Sequence, residues 1–409
     1  MTLEGLSQLT SFCSINNNEV MLEDSPTVTF NGKVAFPRLE MIKISDMNGL
    51  EMIWHNQLAE DSFCSLKSVI VIDCNKLLTM CKFNMLERFT KLESLLVYRC
   101  NSLEEIFDLQ EVNLEKWSHS TVSSQLRELD LRDLQKMRHI WNKDPQRKLS
   151  FQKLNKVRIE NCWSLENIFP ASIARNLSQL EQLYIDGCRA MENIVAEEEG
   201  ADLEAVTRFD FPRLTSLKLI DLYQLRYFYP GGHTAEWPAL NKLSMGDSLR
   251  LISQDQFSEH LIPKLKFMKV NDGESVIPPD ILWRFPNLKK LEFSRGSFEE
   301  IFSLEEVEKH AERPAQIKCL VLYGLEKMER IWKQHSKLDL IIHKLEILHV
   351  ENAESSEEDG AGPSTQHQVL QNTESSEEDG SGLSTQDLVL ENEESSEEDG
   401  AGPSTQHLE

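Results

Sequence analysis

The chain has 409 residues, with 68 Asp/Glu against 43 Lys/Arg and a formal net charge of −25 at pH 7. Residues 351–409 hold 17 of those acids and no Lys or Arg, so residues 1–350 carry 51 acids against 43 bases and most of the charge belongs to the C-terminal stretch. There is no basic stripe for a nucleic-acid groove, no long apolar run for a membrane span and no basic-then-apolar leader for secretion, which together point to a cytoplasmic protein.

Near the N-terminus, LEGLSQLTSF (3–12) aligns with LRDLQKMRHI (131–140), so the strand of a first, truncated repeat is expected upstream of Met1. From Leu39 onward a nine-residue frame recurs. It reads LEMIKISDM (39–47), LKSVIVIDC (66–74), LESLLVYRC (92–100), LRELDLRDL (126–134), LNKVRIENC (154–162), LEQLYIDGC (180–188) and LTSLKLIDL (214–222). Weaker copies open at Leu240, Leu265 and Leu288, and IKCLVLYGL (317–325) and LEILHVENA (345–353) restore the pattern. The mean step of about 28 residues lies in the leucine-rich-repeat range.

The frame alternates as a strand does, which turns Leu92, Leu95, Val97 and Cys100 inward and leaves Leu96 and Tyr98 outside. One copy cannot bury such a face alone, so neighbours are expected to stack with their strands parallel and their apolar residues in ladders. A second apolar cluster follows each strand, as in GLEMIW (49–54), SLEEIF (102–107) and KMERIW (327–332), and is expected to close the convex side. Trp54, Trp141 and Trp332 hold equivalent places there and read as core filling rather than as a ligand cage. The expected fold class is therefore α/β: a curved leucine-rich-repeat solenoid over 1–350, about 12 repeats plus the truncated one, with parallel strands on the concave face and an irregular or short helical convex side.

Three repeats make a higher unit, since the copies at 39–54, 126–141 and 214–229 lie 87 and 88 residues apart. The insertions 108–125 and 196–210 recur at one point of that unit and are expected to emerge on one side as contact loops. Cys74, Cys100, Cys162 and Cys188 close the frame 26 or more residues apart, too far for a zinc set, and read as reduced packed thiols. No GxSxG, DFG, HRD or GxxxxGK[ST] motif occurs, and Glu128 with Asp130 has Arg132 beside it, which fits a solvated strand face better than a catalytic dyad. Neither an enzyme, a cofactor, a metal nor a small-molecule substrate is expected.

Binding residues are expected at the outward strand positions. One column runs through Lys43, Ile70, Leu96, Asp130, Arg158, Tyr184 and Lys218, and the next through Ser45, Ile72, Tyr98, Arg132, Glu160, Asp186 and Ile220. Within them Tyr98, Arg132, Arg158 and Tyr184 have the aromatic and Arg character of interface hot spots, with Asp130, Glu160, Asp186 and Lys218 around them.

Beyond residue 350, ESSEEDG recurs at 354–360, 374–380 and 394–400. Few large apolar residues and no positive charge lead us to expect disorder over 351–409. Ser355, Ser356, Ser375, Ser376, Ser395 and Ser396 precede acids and are candidate phosphoacceptors for acidophilic kinases, while a neutral expansion of a duplicated segment explains the same pattern.

FPRLEMIKISDMNGLEMIW (36–54), LESLLVYRCNSLEEIF (92–107) and LEQLYIDGCRAMENIV (180–195) resemble the C-terminal repeats of plant coiled-coil nucleotide-binding leucine-rich-repeat disease-resistance proteins. The resemblance covers roughly residues 1–350. It implies a protein-recognition module that senses a pathogen effector or a modified host (guarded) protein, or that restrains a nucleotide-binding module. That module is absent from this sequence, so a receptor fragment is a competing reading, as is the substrate receptor of a ubiquitin ligase built on the same repeats.

Overall fold

The computed structural model describes residues 1–7, 9, 28–30, 35–55, 58–59, 61–109, 122–145, 149–197, 207–230, 233–246, 262–273, 284–296, 316–325, 328 and 343–351. All of them belong to the unit Met1–Leu370, and the second unit, Gln371–Glu409, lies outside them. So do the six candidate phosphoacceptors and residues 352–409 of the stretch expected to be disordered, whereas Glu351 ends the strand Ile347–Glu351.

Among the described residues one sheet of thirteen strands forms, paired in parallel in chain order from one copy to the next. Its strands follow the recurring frame: Met41–Ser45, Ser68–Ile72, Ser94–Tyr98, Glu128–Arg132, Lys156–Glu160, Gln182–Asp186 and Ser216–Ile220 lie side by side in chain order. Pairing is in register with the frame, so Leu95 sits between Val69 and Leu129, and Val97 between Val71 and Leu131. All six of these side chains are fully buried, which is how aligned copies bury together the face that a single copy leaves wet. Leu92 and Cys100 are buried as the frame requires.

The first strand is a correction. Thr2–Glu4 joins the sheet, with Leu3 beside Ile44, instead of lying upstream of the chain. Leu3 occupies the last inward position of the strand, and three residues are enough to reach Met41–Ser45.

Nine strands of the sheet end the same way. Gly5, Asp46, Asp73, Arg99, Asp133, Asn161, Gly187, Asp221 and Gly324 directly follow their strands, and all have φ between 50° and 66°. The N–H of the left-handed residue itself donates to the neighbouring copy: Asp73 N–H to Tyr98 O at 3.0 Å and Asp133 N–H to Glu160 O at 2.9 Å. Asp, Asn and Gly tolerate this conformation best, and they fill the eighth place of nearly every frame. Arg99 is an exception, and its guanidinium grips Asp73 at 2.8 and 2.7 Å.

The opposite side departs from the α/β expectation. Helix among the described residues amounts to Phe83–Arg88, Ala171–Ala174 and Arg284, and the remainder of this side is turn and short strand, so the fold is a parallel β-solenoid. Thr79–Lys82, Glu105–Asp108 and His139–Trp141 make a three-stranded parallel sheet of their own. Between the buried Leu103 and the following loop there are too few residues to repay helix nucleation. The same segment of the next copy meanwhile offers partners, as when Arg138 N–H donates to Glu104 O at 3.0 Å. Trp54 and Trp141 are buried here among Phe63, Phe89, Phe107 and Phe151, with ring centroids 5.0–5.6 Å apart, while Trp332 lies outside the described residues. Most of the insertions, 110–121 and 198–206, also lies outside them.

Candidate functional site

The alternation that buries Leu95 and Val97 leaves the third, fifth and seventh frame positions on the open face of the sheet. Register then builds two columns. Tyr98, Arg132, Glu160 and Asp186 are successive neighbours in one, and Asp130, Arg158, Tyr184 and Lys218 in the other. All eight residues singled out in the sequence are thereby brought onto one patch spanning five strands.

Their side chains form a continuous network. The Arg132 guanidinium donates to both carboxylate oxygens of Asp130 at 2.8 and 2.7 Å, reaches Glu160 at 3.4 Å, and stands 5.0 Å over the Tyr98 ring. Arg158 donates to Glu160 at 2.9 and 2.6 Å and lies 4.8 Å over the Tyr184 ring. Lys218 approaches the same ring to 4.2 Å and donates to the Tyr184 hydroxyl at 3.1 Å, while the hydroxyl itself donates to Asp186 at 2.9 Å.

Three acids and three bases balance, and they are layered. Asp130, expected to be exposed, is buried at 4% because Arg132 closes over it; Glu160 is also largely covered. The acids make a floor, and the Arg, Lys and Tyr side chains that they hold are half-buried above it. Burial, with Asp130 beside it, pushes the Tyr98 hydroxyl up to about 12, and burial raises Tyr184 further. Burial also raises the Asp186 carboxyl, against the hydrogen bond from Tyr184 that lowers it. Ile70, Ile72 and Leu96 continue the patch past Tyr98 as a half-buried apolar margin.

Each carboxylate here is occupied by a cation or a phenol, and Glu128 pairs with Lys156 at 3.2 Å. The frame-closing cysteines point inward, fully buried, and each Sγ donates to the carbonyl two residues back, as Cys162 does to Glu160 O at 3.4 Å. Among the described residues no group of His, Cys, Asp and Glu has the makings of a metal site, and no helix is long and apolar enough to cross a membrane.

A family model described as plant disease resistance protein RPS2-like, leucine-rich repeats, matches residues 38–189 and 238–358, well over half of the chain. The chain belongs to this family. The first matched stretch of RPS2-like repeats contains seven of the eight patch residues, and Lys218 falls between the two stretches while keeping the sheet register. No curated protein matches the chain.

Proposed function

We propose that these RPS2-like repeats are a cytoplasmic protein-recognition module whose contact face is the open side of the sheet around Tyr98, Arg132, Arg158 and Tyr184. The partner is a protein: a pathogen effector, a host protein that such an effector alters, or a nucleotide-binding module held inactive. The observation that carries this is the cation–aromatic network itself. Core positions repeat from copy to copy, whereas the outward ones change chemistry and converge on Arg and Tyr, the residue types that dominate interface hot spots. The acid floor fixes their geometry in advance, which lowers the entropy lost on docking.

The test is a pulldown from plant leaf extract with the full chain and with a variant carrying Tyr98→Ala, Arg132→Ala, Arg158→Ala and Tyr184→Ala. Capture of a nucleotide-binding module or a host immune protein by the wild type, and its loss from a variant with unchanged circular dichroism, supports the reading. Equal capture by both chains removes the patch from it. Capture of chaperones alone favours an orphan receptor fragment.

A further inference from the structure

We propose that the edge of the solenoid where the strands exit carries a second contact surface, formed by Trp163, Arg189 and Tyr223, which takes an acidic segment of a partner protein. A carboxylate of that segment docks on the Arg189 guanidinium, and an adjoining apolar side chain lies on the two aromatic rings.

The repeats provide an internal comparison. All three residues occupy the place directly after the inward residue that closes the frame, Cys162, Cys188 and Leu222. In three earlier copies that place holds Asn48, Asn75 and Asn101, which tie successive turns together: Asn75 Nδ2 donates to Asn48 Oδ1 at 3.1 Å, and Asn101 N–H donates to Asn75 Oδ1 at 3.3 Å. A short polar side chain therefore satisfies the fold here. Trp163 and Tyr223 instead stay 42% and 48% exposed, so their rings present apolar surface to water. Tyr227, at 42%, adds a further exposed ring in the same copy as Tyr223.

Charge selects the partner. Arg99, Arg132, Arg158 and Arg208 each hold a carboxylate within 2.8 Å. Arg189 is exposed and holds none among the described residues; its guanidinium carbon stands 5.1 Å from the Trp163 ring centroid. A cation resting on an indole is oriented and partly desolvated while its N–H fork stays open, which suits bidentate capture of a carboxylate. The surface uses none of the residues of the sheet-face patch, so the two stand or fall separately.

The experiment measures fluorescence anisotropy of a labelled peptide with a Glu-Leu-Glu-Leu-Glu core in a Gly/Ser surround, with a Lys-Leu-Lys-Leu-Lys counterpart as control. Wild-type full chain is compared with the triple variant Trp163→Asn, Arg189→Asn, Tyr223→Asn, which copies the chain's own Asn turns. The expected result is binding of the acidic peptide only, weakened at least ten-fold in the triple variant and several-fold in Arg189→Lys, with no change in melting temperature or circular dichroism. Arg132→Ala is expected to leave this binding intact. Three results would overturn the proposal: no binding of the acidic peptide up to millimolar concentration, equal affinity of wild type and triple variant, or a melting temperature that drops in the triple variant and so assigns these residues to the fold.

Discussion

Arg132 and Asp130 lie two residues apart on one strand, yet they meet through two guanidinium nitrogens, Nε and Nη2, at 2.8 and 2.7 Å, and the acid is buried beneath the base. Arg99 and Asp73 make a similar two-bond contact between neighbouring turns, but the Arg99 side chain is 57% exposed and the Asp73 side chain 29%.

These two pairs should differ in worth. Arg132→Ala strands a buried carboxylate and is expected to cost about 2 kcal/mol. Arg99→Asn keeps a residue at ease at positive φ and gives up only a solvated pair, an expected loss under about 1 kcal/mol. Urea unfolding followed by circular dichroism compares them, and equal losses would show that Asp130 is not effectively desolvated.

The left-handed turns separate conformational from steric cost. Gly5 and Gly187 both have φ +66°, but a Cβ on Gly5 meets nothing within 4 Å, whereas on Gly187 it lies 2.6 Å from Asn161 Oδ1 and 3.4 Å from Asn161 Cα. Asn161 cannot swing aside without losing its bond to Asp133. Gly5→Ala is expected to cost at most about 1 kcal/mol and Gly187→Ala about 2 kcal/mol, read from thermal melts.

Two equivalent tryptophans differ in their indole N–H. Trp54 Nε1 donates to Met80 O at 3.1 Å, while Trp141 Nε1 is buried without a partner among the described residues. Trp141→Phe should therefore be milder than Trp54→Phe by about 1 kcal/mol, because only the second removes a satisfied donor and strands a carbonyl. The reverse order in denaturant melts would mean that the Trp141 N–H has found a partner such as water.

Asp186 gives a pH dependence of opposite sign to an ordinary salt-bridged acid. Its folded pKa is raised by burial, so the native state takes up a proton before the unfolded chain does. The cost of the buried carboxylate is present in full above the folded pKa and is relieved as pH falls through the interval between that value and about 3.9. Asp73, lowered by the hydrogen bonds from Arg99, acts the other way and loses its contribution as pH falls through its folded pKa. Comparing stability against pH for wild type and Asp186→Asn isolates the first effect: the difference between the two curves should change over that interval in the direction that favours wild type as pH falls. A constant difference would place the Asp186 carboxyl at its ordinary value.

Periodicity alone identified the ladder of Leu95, Val97 and their equivalents, because a step near 28 residues with alternating apolar positions has one economical solution, stacked parallel strands. It likewise grouped Tyr98, Arg132, Arg158 and Tyr184, since in-register pairing turns equal frame positions into spatial neighbours. The left-handed residue after nine of the strands was not read from periodicity, because the signal in the Asp, Asn and Gly at the eighth frame place lies in backbone tolerance rather than hydropathy.

Tertiary packing decided the rest. Whether LEEIF becomes helix or strand depends on what the adjacent turn offers its N–H groups, which no single copy encodes. That Asp130 lies under Arg132 on the same strand, while Arg189 holds no carboxylate among the described residues, depends on distances of a few ångströms between side chains, whereas the sequence assigns each residue only to a column. Repetition thus determined which residues are neighbours, and packing determined which of them are buried and paired and which stay exposed.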